Sequence, residues 1–159
     1  MNVLFTIINR IDSLLIEVPL KLKNYAEDEL SFKPSHDKWS KKEILGHLCD
    51  SAINNLTRFV RGHFEHEPIK LFSYQQDEWV RANHYQEMKI NDIVNYWVVL
   101  NRRIIYLVSK IPEDKLAAQC IMDNTAFRTP GDDKSILWLF EDYLVHMEYH
   151  LKQIMNKEL

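Results

Sequence analysis

The chain is poor in the residues that make loops. Only three of its 159 residues are glycine and five are proline, which excludes a collagen-like, low-complexity or loop-dominated chain. Cysteine occurs twice, as Cys49 and Cys120. Two such residues cannot build a disulfide framework, and these two do not form a CxxC pair. Free thiols in a reducing compartment fit both. No apolar run approaches the length that crosses a bilayer. The opening residues, Met1-Asn2-Val3-Leu4-Phe5, lack the basic start and small-residue cleavage site of a signal peptide, so the expected location is cytoplasmic. A large excess of charge is missing too. The formal net charge is −3, which leaves no footprint for nucleic acid or an anionic membrane, and neither is expected as a partner.

What is present is helix-forming sequence with broad apolar faces. Hydrophobic residues make up 46% of the chain, enough to fill the core of one domain of this length. In residues 2–17, Leu4, Ile7, Ile8, Ile11, Leu14 and Leu15 recur at three- and four-residue steps, the spacing of one buried helical face. Pro19 predicts an end or a kink at Val18. Residues 20–33 predict one or two short helical turns, and Pro34-Ser35-His36-Asp37 a loop. The clearest helix start is Trp39-Ser40-Lys41-Lys42-Glu43. Ser40 and Glu43 make a capping box, and Trp39 and Ile44 are placed as a hydrophobic staple. This helix is expected to run to about Arg61 and stop at Gly62.

A short helix over 75–85 carries Trp79. A third long helix opens at Lys89 or Asn91 and runs to about Lys110, with Ile93, Val94, Trp97, Leu100, Ile104, Ile105 and Val108 as its core face. After a poorly periodic stretch with a Pro130-Gly131 turn, Asp132 or Asp133 is expected to cap the last helix, which runs to about Met155. No convincing strand pattern appears. The fold class read from this pattern is all-α: a single four-helix-bundle domain over 1–159, with long connections at 63–88 and 111–132 that permit crossovers.

Two imidazoles stand out on the last helix. His146 and His150 lie one turn apart, and Asp142 sits on the same face, each within about 40° of His146 around the axis. Tyr143 and Tyr149 flank this face. The zincin motif needs Glu directly after the first His. Met147 occupies that place, and Glu148 falls on the opposite side of the helix, where a solvated role is expected. On the second helix, Glu43, His47, Asp50, Asn54 and Arg58 form a narrow polar stripe, within roughly 80° of one another. A metal-binding His normally donates its second N–H to a carboxylate, carbonyl or water. Asp50, Asp142 and Glu43 are placed for that, although surface pairing explains them equally. Three His around one ion leave a position open, the geometry of a catalytic rather than a structural site. Neutral imidazole suits Zn, Ni, Cu or Fe. Cys49 falls on the apolar side of its helix and reads as core. Trp39, Trp79, Trp97 and Trp138 read as core or cavity walls.

The segment from Trp39 to Ser51 resembles the W-S-x-x-E-x-x-x-H-x-x-D-S segment of the DinB/YfiT-like superfamily. Residues Asp142 to Ile154 are similar to that superfamily's last helix, which ends H-x-x-x-H-x-x-Q-I. Between them, Pro68-Ile69 and Tyr74-Gln75-Gln76-Asp77-Glu78-Trp79 resemble a P-x-I…Y-D-x-x-x-W segment of the YfiT-type branch, with Gln75 where Asp is common.

The resemblance implies a four-helix bundle that binds a divalent metal, zinc or nickel, through His47, His146 and His150. Several members are metal-dependent thiol transferases that join a low-molecular-weight thiol, such as bacillithiol or mycothiol, to an electrophile, and members are often homodimers. The implied substrate is a small molecule, and the thiol would be a co-substrate. Asp50, Asp142 and Glu43 would orient the ligands. Arg58 is placed to bind a carboxylate of the thiol, with Asn54 and Tyr143 as further substrate contacts. A metal-dependent hydrolase using the same three His, and a non-catalytic stress-associated binding bundle, remain as alternative expectations.

Overall fold

The computed structural model describes residues 2–122 and 134–155. Four long helices carry the fold: α1 (Val3–Leu22), α3 (Lys41–Gly62), α5 (Ile90–Val108) and α7 (Ile136–Ile154). Short helices α2 (Glu27–Ser31), α4 (Gln76–Ala82) and α6 (Glu113–Leu116), and a 3₁₀ turn (Tyr85–Glu87), occupy the connections. Among the described residues, no helix is long and apolar enough to cross a membrane.

The helices pack as a ring in the order α1, α5, α3, α7, so that α1 and α3 lie across the diagonal. Named contacts fix their directions. His47 near the start of α3 meets His150 near the end of α7, while Gly62 at the end of α3 packs on Ile136 at the start of α7; these two helices are antiparallel. Leu4 and Leu137 line one cavity, and Arg10 pairs with Glu148 at 2.7 Å, so α1 and α7 are parallel. Pro19 and Leu22 sit beside Ile90 and Val94, whereas Leu4 sits near Ile111, so α5 runs against α1. The bundle is therefore up-down-down-up. Consecutive parallel helices cannot be joined by a tight turn, so residues 63–89 must return along the length of α3. α5 and α7 are antiparallel and lie across the other diagonal of the ring. Of the connections in which crossovers were expected, that between α3 and α5 spans the length of the bundle.

The core is a single apolar cluster fed by all four long helices, with Ile11, Leu14, Leu45, Leu48, Phe59, Trp97, Ile104, Phe140 and Leu151 almost fully enclosed. Cys49 and Cys120 are free and buried. Of the tryptophans, Trp97 lies in this core, and Trp138 is partly exposed, with the Lys134 ammonium 4.5 Å over its ring.

Several expectations need correction. Pro19 does not end α1, which continues to Leu22 with the proline inside. A proline in a helix interior costs about 3 kcal/mol, but Val18 and Leu22 beyond the expected stop are both buried, and burying such side chains contributes about 1.5–3 kcal/mol each. The last helix starts at Ile136, where the Ser135 hydroxyl accepts from Trp138 N at 3.1 Å. The Asp132 or Asp133 cap and the Pro130-Gly131 turn lie outside the described residues. A small sheet is also present. Strand β1 (Ile69–Leu71) pairs in parallel with β2 (Gln119–Met122), and β2 pairs antiparallel with β3 (Lys134–Ser135). It stitches the two long connections together. Glu148, expected in solvent, is instead ion-paired to Arg10.

Candidate metal centre

The start of α3 follows the expected box closely. Glu43 N donates to the Ser40 hydroxyl at 3.2 Å, and Ser40 N donates to Glu43 Oε2 at 2.8 Å. This fixes the first turn and, one turn later, the azimuth of His47. The polar stripe of α3 faces inward: His47 and Asp50 are fully buried and Glu43 nearly so.

His47, His146 and His150 come together from α3 and α7. One ring nitrogen from each lies within 4.8 Å of the others, an arrangement that could hold a metal ion. His47 Nε2 and His146 Nε2 are 3.2 Å apart. Two nitrogens bound to one tetrahedral zinc at 2.0–2.1 Å are separated by about 3.3 Å, so the spacing fits a shared ion. The same contact serves as an N–H···N hydrogen bond when no ion is held. His150 Nδ1 meets Gln153 Oε1 at 2.9 Å. The amide oxygen can only accept, which puts the proton on Nδ1 and leaves the Nε2 lone pair free. Gln153 is thus the ligand-orienting partner that charge-based reasoning passed over, since it carries no charge.

The imidazoles are held neutral. Burial, reinforced by His150 and His146, pushes His47 down to about 3. Burial and His150 push His146 down to about 4. Burial also lowers His150, against the opposing bond to Gln153. Neutral imidazole is the form that ligates a metal. Trp39 covers one side of the cluster, its ring 4.9 Å from that of His47, and Tyr149 packs on His150 at 5.1 Å.

Two of the acids expected to orient these ligands, Glu43 and Asp50, are bonded to other groups. Glu43 binds the helix cap and, at 2.7 Å, Lys33 Nζ. Asp50 Oδ1 accepts from Tyr85 OH at 2.7 Å and from Asn83 Nδ2 at 3.0 Å. Its Oδ2 and His47 Nδ1 are both buried and without a hydrogen-bond partner. Burial pushes the Asp50 carboxyl up to about 6, although both donors favour its charged form. Asp142 is exposed and, among the described residues, makes no hydrogen bond to a histidine.

A cavity of about 210 Å³ opens beside His146, with Arg58, Tyr74, Asp142 and Tyr143 in its wall. Tyr143 lies in the wall, but its hydroxyl donates to Asn101 Oδ1 at 2.6 Å. Asn54 turns its amide onto Asp50 O at 2.9 Å, and Asn55 lines the cavity instead. Of the side chains recruited from the 63–89 connection, Tyr74 stands in the segment that resembles Y-D-x-x-x-W, whereas Asn83 and Tyr85 had no signal in the local sequence pattern.

A helical bundle with clustered neutral imidazoles on facing helices and an adjoining cleft defines a class of metal-binding α-bundles. The chain belongs to the DinB superfamily, whose family model matches residues 18–154. Among solved structures it is similar to YfiT from Bacillus subtilis, at 14% identity and a TM-score of 0.82, covering 97% of this chain and 85% of that one. That protein is described as "a probable metal-dependent hydrolase with an unusual four-helix bundle topology". No curated protein matches the chain.

Proposed function

We propose that the protein is a metal-dependent enzyme that joins a small thiol to an electrophilic carbon at a three-His site. The observation that carries this is the convergence of His47, His146 and His150, with their nitrogens within 4.8 Å. An ion in such a site keeps an open position and lowers the pKa of a thiol or water placed there. Zinc and nickel both suit the donor set.

The chain's own part is to bind, orient and exclude water. Gln153 fixes the tautomer of His150. Trp39 and Tyr149 screen the imidazoles from solvent, which strengthens every charge interaction inside. The cleft beside His146 receives the thiol, with Arg58 holding its anionic group. In the transfer step, the thiolate sulfur donates its electron pair to carbon. The bond to the leaving group breaks with its electrons, and the thiol proton passes to solvent. Hydrolysis of a small substrate at the same site is the second reading, favoured by the likeness to the Bacillus subtilis neighbour.

Elemental analysis of wild type beside His47→Ala tests the site. One equivalent of ion in wild type and none in the variant is expected, and a wild type that takes up neither zinc nor nickel refutes it. Mass spectrometry of ion-loaded protein with a thiol and a model electrophile separates the readings. Thiol adducts formed only with metal support transfer, whereas metal-dependent hydrolysis without adducts supports the second.

A further inference from the structure

Among the described residues, no alanine, valine, leucine, isoleucine or methionine lines the cavity beside His146. Ligand sites are usually walled by apolar side chains, so recognition here falls to hydrogen bonds. Several donors in the wall are already committed. The Tyr143 hydroxyl donates to Asn101 Oδ1 at 2.6 Å, and the Asn55 amide donates to Ser51 O at 3.0 Å. The Arg58 guanidinium donates to Asn55 Oδ1 at 3.2 Å and to Phe72 O at 2.6 Å. Tyr74 differs from these. Its hydroxyl is buried and, among the described residues, has no hydrogen-bond partner. Buried hydroxyls are nearly always bonded, and one left open calls for an explanation.

The position of this hydroxyl is fixed from three sides. Strand β1 ends at Leu71, which pairs with Met122. The next carbonyl, Phe72 O, is bonded to Arg58. The Tyr74 ring then meets Trp79 edge-on, with centroids 5.3 Å apart. Burial, reinforced by the Asp50 carboxylate, pushes the phenol upward against the pull of Arg58. The hydroxyl therefore keeps its proton at neutral pH and stands as a donor. A donor fixed in advance acts most strongly on an atom that gains negative charge during reaction. Oxygen is such an atom, compact and strongly accepting. A larger departing halide gains less from the same donor.

We propose that Tyr74 is a catalytic residue, the donor that receives the oxygen of a carbonyl or epoxide electrophile as that oxygen takes on charge. The inference rests on the metal reading above and adds the class of electrophile, and it holds for either nucleophile, thiol or water. The nucleophile's electron pair forms the new bond to carbon. The displaced C–O electron pair moves onto the oxygen, which accepts from the Tyr74 hydroxyl. The proton lost by the nucleophile reaches that oxygen through solvent, so this addition consumes nothing else. A buried donor also discriminates, because a substrate without the acceptor leaves it unpaired.

Tyr74→Phe removes the hydroxyl alone, and with no partner to lose the variant should melt no lower than wild type. A lower melting temperature would show the hydroxyl bonded within the fold and overturn the assignment. Infrared spectra of cyclopentanone bound to the two metal-free proteins test the contact. The carbonyl stretch should lie at lower frequency with wild type than with Tyr74→Phe; the same frequency in both, or no bound ketone, overturns the assignment. Zinc-loaded protein with 2-mercaptoethanol tests the chemistry. With propylene oxide the kcat of Tyr74→Phe should fall about a hundredfold, the scale of one lost oxyanion donor, while with allyl chloride it should stay within about twofold. A loss shared by both electrophiles, no loss with the epoxide, or turnover of the chloride alone overturns the assignment. Wild type that turns over neither refutes the transfer reading instead, and the infrared comparison then decides Tyr74 by itself.

Discussion

A glycine in a helix interior costs roughly 0.5–1 kcal/mol relative to alanine, and α3 carries one at Gly46, immediately before His47. A Cβ there would lie 2.1 Å from the ring of Tyr85. The missing side chain lets that ring lie against the helix, from where the Tyr85 hydroxyl reaches Asp50. Gly46→Ala is therefore expected to lower the melting temperature although alanine is the better helix former, because forced overpacking costs about 1–3 kcal/mol. In a double-mutant cycle with Tyr85→Ala the two losses should not add; additive losses would remove the contact from the explanation. Titration gives a second prediction at this scale. His47 and His146 fall from the ordinary 6.5 to about 3 and about 4, and His150 falls as well. Between those values the unfolded chain binds more protons, so their stabilisation is present above about 6.5 and lost as the pH drops through that window. Asp50 acts oppositely. Raised from 3.8 to about 6, it contributes stability below 3.8 that is lost as the pH rises through 6. Three imidazoles outweigh one carboxyl, so the metal-free protein should melt at progressively lower temperature from pH 7.5 to 5. His47→Gln should flatten that slope, and an unchanged slope would clear the imidazoles of responsibility.

Among the elements, α3 does most to build the site, and its cap is what sets His47 in place. Ser40→Ala should cost about 0.5–2 kcal/mol, seen as a lower urea midpoint with an unchanged m-value; no loss would mean that Glu43 alone holds the turn. The box was readable because all of its members lie within four residues. The same holds for the His146–His150 spacing on α7. Pro19 misled because a local rule, the proline break, competes with burial of Val18 and Leu22, which depends on partners elsewhere in the chain. The strands escaped because they are two to four residues long, too short for an alternating pattern to register. The partners of Asp50 escaped for a related reason. Tyr85 and Asn83 lie 35 and 33 positions away, and only the return of the chain along α3 brings them back. His84 between them adopts a left-handed conformation, φ 52°, rare for a residue other than glycine, at the bend that carries both neighbours toward Asp50.

On the scale of the whole molecule, the candidate ligands come from two antiparallel helices, so an ion binds the folded chain and not the unfolded one. At a hundred times its dissociation constant it should stabilise by about 2.7 kcal/mol, or roughly 5–10 °C for a chain of this size. Calorimetry with and without zinc checks this, and His150→Ala should abolish the shift; a shift that survives would place the ion elsewhere. The family resemblance also leads us to expect a homodimer of the 19.0 kDa chain. Tyr96, Val99 and Tyr106 are exposed along one side of α5. Light scattering giving the mass of a single chain would refute that expectation. The up-down-down-up order has a further consequence. Because two consecutive helices run the same way, residues 63–89 are obliged to pass the imidazoles, and they bring Tyr74 to the cavity wall on the way. The bundle and its three histidines are a chassis, and this strap is a fitting bolted into it through Ile69, Leu71, Val80 and Tyr85. Only its cleft-facing positions, Ser73, Tyr74 and Gln76, are open to rewriting with the core left as it is.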